Sequence, residues 1–439
     1  LYICTQNKDR ANKSKYRIIT IKNMTMKRLV SLILVIITVS TSFAQKIGGT
    51  WKGKLNAGNQ KLEIVFHFTR GDGNETTCKM DVPAQGAMGI PVDIKSLTED
   101  SVSLQVDAIR MVYNGKLTGN KISGTFNQHG MSFPLELESG EQEKLNRPQE
   151  PQKPYSYKTE EVTFVNEKAN ANLSGTLTYP IGYKENRKVP VVIMVTGSGA
   201  QNRDEEIFGH KPFLVIADYL ARNGIASLRY DDRGTGKSVG GARKDCTSED
   251  FAEDAEYGLQ WLKKNGKFDK IGILGHSEGG MIAFMLGAEN KADFIVSMAG
   301  PGIKGDSLLA EQQNAILKLK GIPANYNVES IRRDMTFQPK NPWLEYFVNY
   351  DPKYDIEKIS IPVMAINGSN DVQVISKSNL KVIKEILSGK NSKNLIKEYP
   401  NLNHLFQNCT PETAFDYYNI EETISEEVLK DIASWINGL

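Results

Sequence analysis

Residues 272–280 read Gly-Ile-Leu-Gly-His-Ser-Glu-Gly-Gly and set a serine between two glycines in the spacing G-x-S-x-G. A short apolar run leads into this string and a helix-compatible run of small and apolar residues leaves it, so Ser277 is expected at the apex of a strand–turn–helix bend. A bend that sharp strains the backbone of the serine and crowds the positions two places to either side. Gly275 and Gly279 supply the missing side chains, and Gly280 adds clearance. The helix beginning after Ser277 points its positive end at charge developing on the nucleophile. The chemistry implied is attack of a hydroxyl on a carbonyl, which requires a base to take the proton and a third group to orient that base.

On a bend of this kind the chain order runs nucleophile, acid, base. Of five histidines, His67 and His129 lie in a β-rich stretch and His210 and His276 precede the serine, which leaves His404 as the base. An apolar strand over 361–367 ends in Gly368-Ser369-Asn370-Asp371, and Asp371 is the expected acid; Asp351 and Asp355 precede that strand. A tetrahedral oxyanion needs two backbone N–H donors. One is that of Glu278, and the other is expected from the glycine-rich loop after the strand at 189–196, at Ser198 or Gly199. A second G-x-S-x-G match, Gly236 to Gly240 around Ser238, follows no strand and opens no helix, so it is read as a loop. It also imitates a phosphate-binding loop, but Asp231 stands where that motif requires glycine.

These residues sit in an alternation of apolar strands (189–196, 225–230, 270–274, 294–298, 361–367, 394–399) and amphipathic stretches (211–222, 248–264, 278–289, 374–388). Continuous apolar strands such as VPVVIMV belong in a mostly parallel sheet covered on both faces, an α/β domain over 159–439. Residues 301–355 break the alternation and carry Trp343, Tyr346 and Phe347, so they are read as a helical cap inserted over the carboxyl ends of the strands. Ahead of this domain, 45–139 shows short alternating runs (62–68, 101–106, 111–117, 121–126, 133–138) separated by turn signals, the pattern of a small all-β sandwich or partial barrel. The polar, three-proline stretch 140–158 is read as an exposed linker.

The first 44 residues are set apart. Lys27 and Arg28, the apolar run 29–39 and Ser42-Phe43-Ala44 make 26–44 a secretory signal peptide, with 1–25 a start-site artefact. The expectation is an exported protein, periplasmic or extracellular, with no stable membrane insertion after cleavage. The whole chain has a net charge of +2, but without 1–44 it holds 46 basic and 51 acidic residues, a net of −5. That mildly acidic balance excludes a phosphate-neutralising surface, and with it nucleic acid as a partner. Three cysteines remain, Cys78, Cys246 and Cys409, at spacings that match no zinc site. They are read as free thiols, with a Cys246–Cys409 bond as the lesser alternative.

Taken together, GSGAQNRD (197–204), YDDRGTGKS (230–238), GHSEGG (275–280), NGSNDVQV (367–374) and LNHLFQ (402–407) resemble the α/β-hydrolase superfamily. They are most similar to secreted bacterial esterases related to the serine aminopeptidase and proline iminopeptidase hydrolases. The resemblance covers about 160–437 and implies an acyl-enzyme mechanism through Ser277, His404 and Asp371, with no metal and no cofactor. The expected substrate is a small carboxylic ester. An aminopeptidase of the proline iminopeptidase type is the second reading; it needs carboxylates in the cap, and Glu311, Asp334 and Glu345 are the candidates. A third is a binding protein with a vestigial hydrolase fold, its β domain contacting a glycan or partner.

Overall fold

The computed structural model describes residues 47–57, 60–71, 75–140, 145–337 and 339–439. The signal peptide read at 26–44 and the stretch before it lie outside the described residues. The chain divides into two units: one reaches to Asp81 and resumes over Gly89–Gln142, the other holds Val82–Met88 and Glu143–Leu439.

The first unit is an eight-stranded closed barrel in which each strand pairs with the next: β1 (Gly49–Ala57), β2 (Gln60–Arg70), β3 (Thr76–Val82), β4 (Ala87–Leu97), β5 (Ser101–Val106), β6 (Met111–Thr118), β7 (Lys121–Gln128) and β8 (Met131–Ser139). β8 returns to β1 through Trp51 opposite Ser139, which removes both sheet edges. Alternation decides what faces inward: in β5, Val102, Leu104 and Val106 are buried and the residues between them are not. Tyr113 fills the interior, its hydroxyl donating to the carbonyls of Ile122 and Leu135 at 3.2 Å each. Gly124 faces it because a Cβ there would come within 2.8 Å of the tyrosine ring.

The second unit is a three-layer α/β structure. Its parallel strands are β11 (Val189–Val195), β12 (Ala226–Tyr230), β14 (Phe268–His276), β15 (Phe294–Met298), β16 (Val363–Gly368) and β17 (Leu395–Tyr399), in the order β12-β11-β14-β15-β16-β17. An antiparallel hairpin, β9 (Thr159–Asn166) with β10 (Ala171–Thr178), extends the β12 side, and the two-residue β13 (Val239–Gly240) pairs with β10. Strand β11 shows why the apolar run is unbroken: Val191 and Ile193 belong to the core on one face, Val192 and Met194 to the core on the other. One face is covered by α1 (Pro212–Arg222) and α9 (Glu426–Asn437), the other by α2 (Ser248–Asn265), α3 (Glu278–Ala288) and α8 (Ser376–Leu387). Between β15 and β16 the chain forms α4 (Gly305–Leu319), α5 (Val328–Thr336), α6 (Pro342–Asn349) and α7 (Lys353–Ile356), in the place read as a cap.

The linker is a strap over part of its length. Arg147 donates to the carbonyls of Gly209, Tyr418 and Ile420 at 2.7–2.9 Å, and Gln149 takes the N–H groups of Thr423 and Ile424. Composition marks a polar, proline-rich segment as exposed, but one guanidinium with several donors is enough to dock it on unsatisfied carbonyls. A Cys246–Cys409 bond is absent. Cys246 Sγ lies 2.8 Å from the carbonyl of Ala242 and 3.3 Å from Arg233, while Cys409 sits against Asn401 and Asn370, so all three thiols are free.

Candidate active site

Strand β14 ends at His276 and α3 begins at Glu278, so Ser277 is the whole turn, with φ 55° and ψ −116°. A non-glycine residue in that region costs about 1–3 kcal/mol and persists only where its surroundings hold it. Here the Ser277 N–H donates to Met298 O at 2.8 Å, and Ser277 O accepts from Gly280 and Met281. The flanking glycines are required by close approach. A Cβ on Gly275 would stand 2.0 Å from Gly279 O, and one on Gly279 would stand 2.0 Å from Val195 O.

His404 follows β17 and Asp371 follows β16, and their side chains meet at 2.7 Å between His404 Nδ1 and Asp371 Oδ2, both buried. The other carboxylate oxygen of Asp371 accepts the N–H groups of Gln373 and Val374 at 2.7 and 2.9 Å, so the carboxylate cannot rotate freely. Ser277 and His404 line one cavity of about 250 Å³, and Asp371 stands behind His404. Its apolar wall comes from Leu308, Trp343 and Phe347 of the cap, with Val374. The aromatic pair Trp343–Phe347, stacked at 5.3 Å, therefore lines the same cavity as Ser277 as well as packing the cap.

The loop after β11 also reaches the cavity. Ser198 lines it and Gly199 does not; the carbonyl of Gly199 is taken by Arg243. The N–H groups of Ser198 and Glu278 have no protein partner among the described residues. The string Tyr-Asp-Asp-Arg accounts for the position of this loop. Asp231 accepts the Arg203 side chain and the N–H groups of Arg203 and Lys237, while Asp232 accepts Thr196 Oγ1 and the N–H of Gln201. Burial pushes the Asp232 carboxyl up to about 7. Arg233 forms a buried two-point ion pair with Asp254. Ser238 belongs to this scaffold: it donates to Asp231 O at 2.7 Å, accepts the Ser174 N–H at 2.9 Å, and is buried away from the cavity.

Glu278 and His276 each make contacts that no motif in the sequence announces. Glu278, expected only to offer its N–H, also receives Ser248 Oγ at 2.6 Å and the Trp343 indole at 2.8 Å, which ties the cap to the serine turn. His276 meets the buried Glu205 at 2.9 Å, and Glu205 also accepts the N–H of Gly197. Burial opposes a charge on His276, but the Glu205 carboxylate outweighs it, so His276 holds its proton more tightly than an ordinary imidazole.

The remaining candidates fall elsewhere. Glu311 is occupied by Ser378, Glu345 is exposed, and neither these, Asp334, Asp351 nor Asp355 lines the cavity. His67 pairs with Asp81 in the barrel, and His210 is buried against Thr423 and Tyr417. Among the described residues, no group of three or more His, Cys, Asp or Glu side chains is placed to hold a metal ion, and no helix is long and apolar enough to cross a membrane.

Residues 211–366 match the family model described as serine aminopeptidase, S33, a span that includes Ser277 but neither Asp371 nor His404. Esterase EstD of Thermotoga maritima is 28% identical over 296 residues, 64% of this chain and 68% of the relative. Among solved structures, the Pyrococcus furiosus esterase Pf2001 aligns with a TM-score of 0.46 and 20% identity over 68% of this chain and 99% of its own. Est1E from Butyrivibrio proteoclasticus aligns with a TM-score of 0.43 and 15% identity over 63% and 98%. The order of the parallel strands and the serine turn between β14 and α3 give the second unit the α/β-hydrolase fold, and over 211–366 it is similar to the serine aminopeptidases.

Proposed function

We propose that this chain is a serine esterase that cleaves small carboxylic esters through an acyl-enzyme. The observation that carries the reading is a buried His404–Asp371 pair at 2.7 Å, with His404 lining the same cavity as a serine held at φ 55°. Asp371 fixes the ring so that Nδ1 holds its proton and Nε2 is free to accept one. Ser277 Oγ attacks the ester carbonyl as its proton passes to His404, and the oxyanion is received by the N–H groups of Ser198 and Glu278. The C–O bond to the alcohol then breaks, the alcohol leaving with the proton from His404. Water, deprotonated by the same ring, attacks the acyl-enzyme; the carboxylic acid departs and Ser277 regains its proton. The apolar wall of the cavity suits an acyl chain or aryl group.

EstD of Thermotoga maritima, named as an esterase, supports ester over peptide. The three cap acids considered for a substrate ammonium do not line the cavity, and the two carboxylates that do, Glu205 and Glu278, are engaged by Gly197 and His276 and by Ser248 and Trp343. Export is part of the same proposal and rests on the pattern at 26–44; signal cleavage would be read by N-terminal sequencing of secreted protein. Turnover of p-nitrophenyl acetate and butyrate with none of proline or alanine anilides is expected, along with covalent labelling by a fluorophosphonate. Ser277→Ala should lower kcat by about 10⁴ or more and abolish the label. Anilide turnover without ester turnover would overturn the ester assignment.

A further inference from the structure

The reaction just described gives no part to His276, although it adjoins the nucleophile. The residue is 6% exposed and both ring nitrogens face acceptors. Nε2 lies 2.9 Å from the backbone carbonyl oxygen of His404, and Nδ1 lies 2.9 Å from Glu205 Oε1. A carbonyl oxygen can only accept, so Nε2 carries a proton. Glu205 Oε1 already accepts the N–H of Gly197 at 2.9 Å, and as a carboxylate it accepts a hydrogen bond from Nδ1–H as well. The ring is then an imidazolium. The groups that face it are Glu205, the His404 ring at 4.8 Å between centroids, and Asp371 beyond that ring, with Phe406 as an apolar neighbour at 6.5 Å.

We propose that Glu205 and His276 form a buried positioning pair, a carboxylate–imidazolium clamp that holds the oxyanion loop, the serine turn and the His404 loop in one geometry. The clamp rests on the reading of Ser277, Ser198 and His404 given above. Each of its anchor points is Gly197, His276 or the His404 backbone, so each adjoins or belongs to a group that acts on the substrate. Glu205 is itself held at φ 51°, and its second oxygen is buried with no partner. A strained residue with an orphaned buried oxygen adds little to stability, which is the mark of a group retained for placement rather than for folding.

Glu205→Gln is nearly isosteric and separates charge from shape. Its amide oxygen can still accept from Gly197 and Nδ1, with the amide nitrogen at the partnerless position. Without the counter-charge the ring gives up one proton, and one of its two contacts then sets a lone pair against a lone pair. The expected result is kcat on p-nitrophenyl butyrate lower by about tenfold to a hundredfold, KM within about threefold and the melting temperature little changed. In wild-type protein with ¹⁵N-labelled histidine and no histidine tag, one ring should stay doubly protonated at pH 8. Its signal should vanish in both Glu205→Gln and His276→Asn. A wild-type spectrum with no such ring at pH 8, or Glu205→Gln with wild-type kcat, overturns the clamp. Absence of ester turnover and of fluorophosphonate labelling in wild-type protein overturns the esterase reading instead, and the ring spectrum still decides whether the ion pair exists.

Discussion

Asp371→Asn tests how the orientation of one carboxylate controls the base. In the native site Asp371 Oδ1 is committed to two backbone donors, the N–H groups of Gln373 and Val374, while Oδ2 receives His404 Nδ1. An asparagine must present its oxygen to the two N–H groups, because the reverse arrangement would set donors against donors in a buried site. The amide nitrogen is then left facing His404 Nδ1 and donates to it. The ring responds by moving its proton to Nε2, the nitrogen that must accept from Ser277. The hydrogen bonds are kept and the side-chain volume is unchanged, so stability should fall by no more than about 1 kcal/mol. The base is lost, and kcat should drop on the order of 10⁴, or about 5.5 kcal/mol of barrier. Steady-state hydrolysis of p-nitrophenyl butyrate at pH 7–8, paired with the fluorophosphonate labelling rate, measures it; both should fall together while the urea midpoint stays in place. A variant that keeps more than a tenth of wild-type kcat would refute the tautomer reasoning and leave Asp371 a loop residue.

Ser238→Ala should leave kcat unchanged but strip the Ser174 N–H of its partner, lowering the free energy of unfolding by about 1–3 kcal/mol in urea melts. Gly279→Ala would drive a Cβ to 2.0 Å from Val195 O, on the strand that feeds the oxyanion loop. A backbone shift of about 1 Å there should cost about a hundredfold in kcat, whereas Gly48→Ala, with nothing within 4 Å, should be silent in the same assay and in thermal melts. Burial and then the Arg147 guanidinium hold His210 down to about 4, against an ordinary value near 6.5, so the folded chain binds fewer protons than the unfolded chain between those values. Stability from this group is therefore complete above pH 6.5 and declines toward pH 4 by about 3 kcal/mol; His210→Gln should flatten that part of a urea-midpoint profile.

Much of the second unit is readable in the sequence because its signals are local. VPVVIMV could only be a strand buried on both faces, and the expected spans 211–222, 248–264 and 278–289 meet α1, α2 and α3 to within a residue at each end. Less of the barrel was readable. Strand β1, GTWKGKLNA, is poor in large apolar residues, and Gly53 is there because a Cβ would strike Glu136 O of β8, a contact known only once the barrel closes. In β4, Met88 and Gly89 are exposed and Pro91 interrupts the run, so little alternation survives. The hairpin β9–β10 and helix α9 carry ordinary alternation and amphipathic spacing, but lie at the margins of the repeating strand–helix pattern.

Sequence alone determined that Ser277 sits in a strained turn, that a strand and a helix flank it, and that His404 and Asp371 follow in the order such a bend requires. Those properties depend on sterics within a few residues and on the counting of side-chain types. The tertiary structure decided which side chains touch: that Asp371 meets His404 across 33 residues, that Glu205 reaches His276 across 71, and that Ser198 rather than Gly199 opens on the cavity. The shared parallel direction of the strands brings these loops together at their carboxyl ends, and a hydrogen bond between remote residues leaves no local periodicity to read. His276 shows the difference most plainly: in the chain it is the residue before the serine, and only the folded backbone surrounds its ring with a carboxylate and a carbonyl.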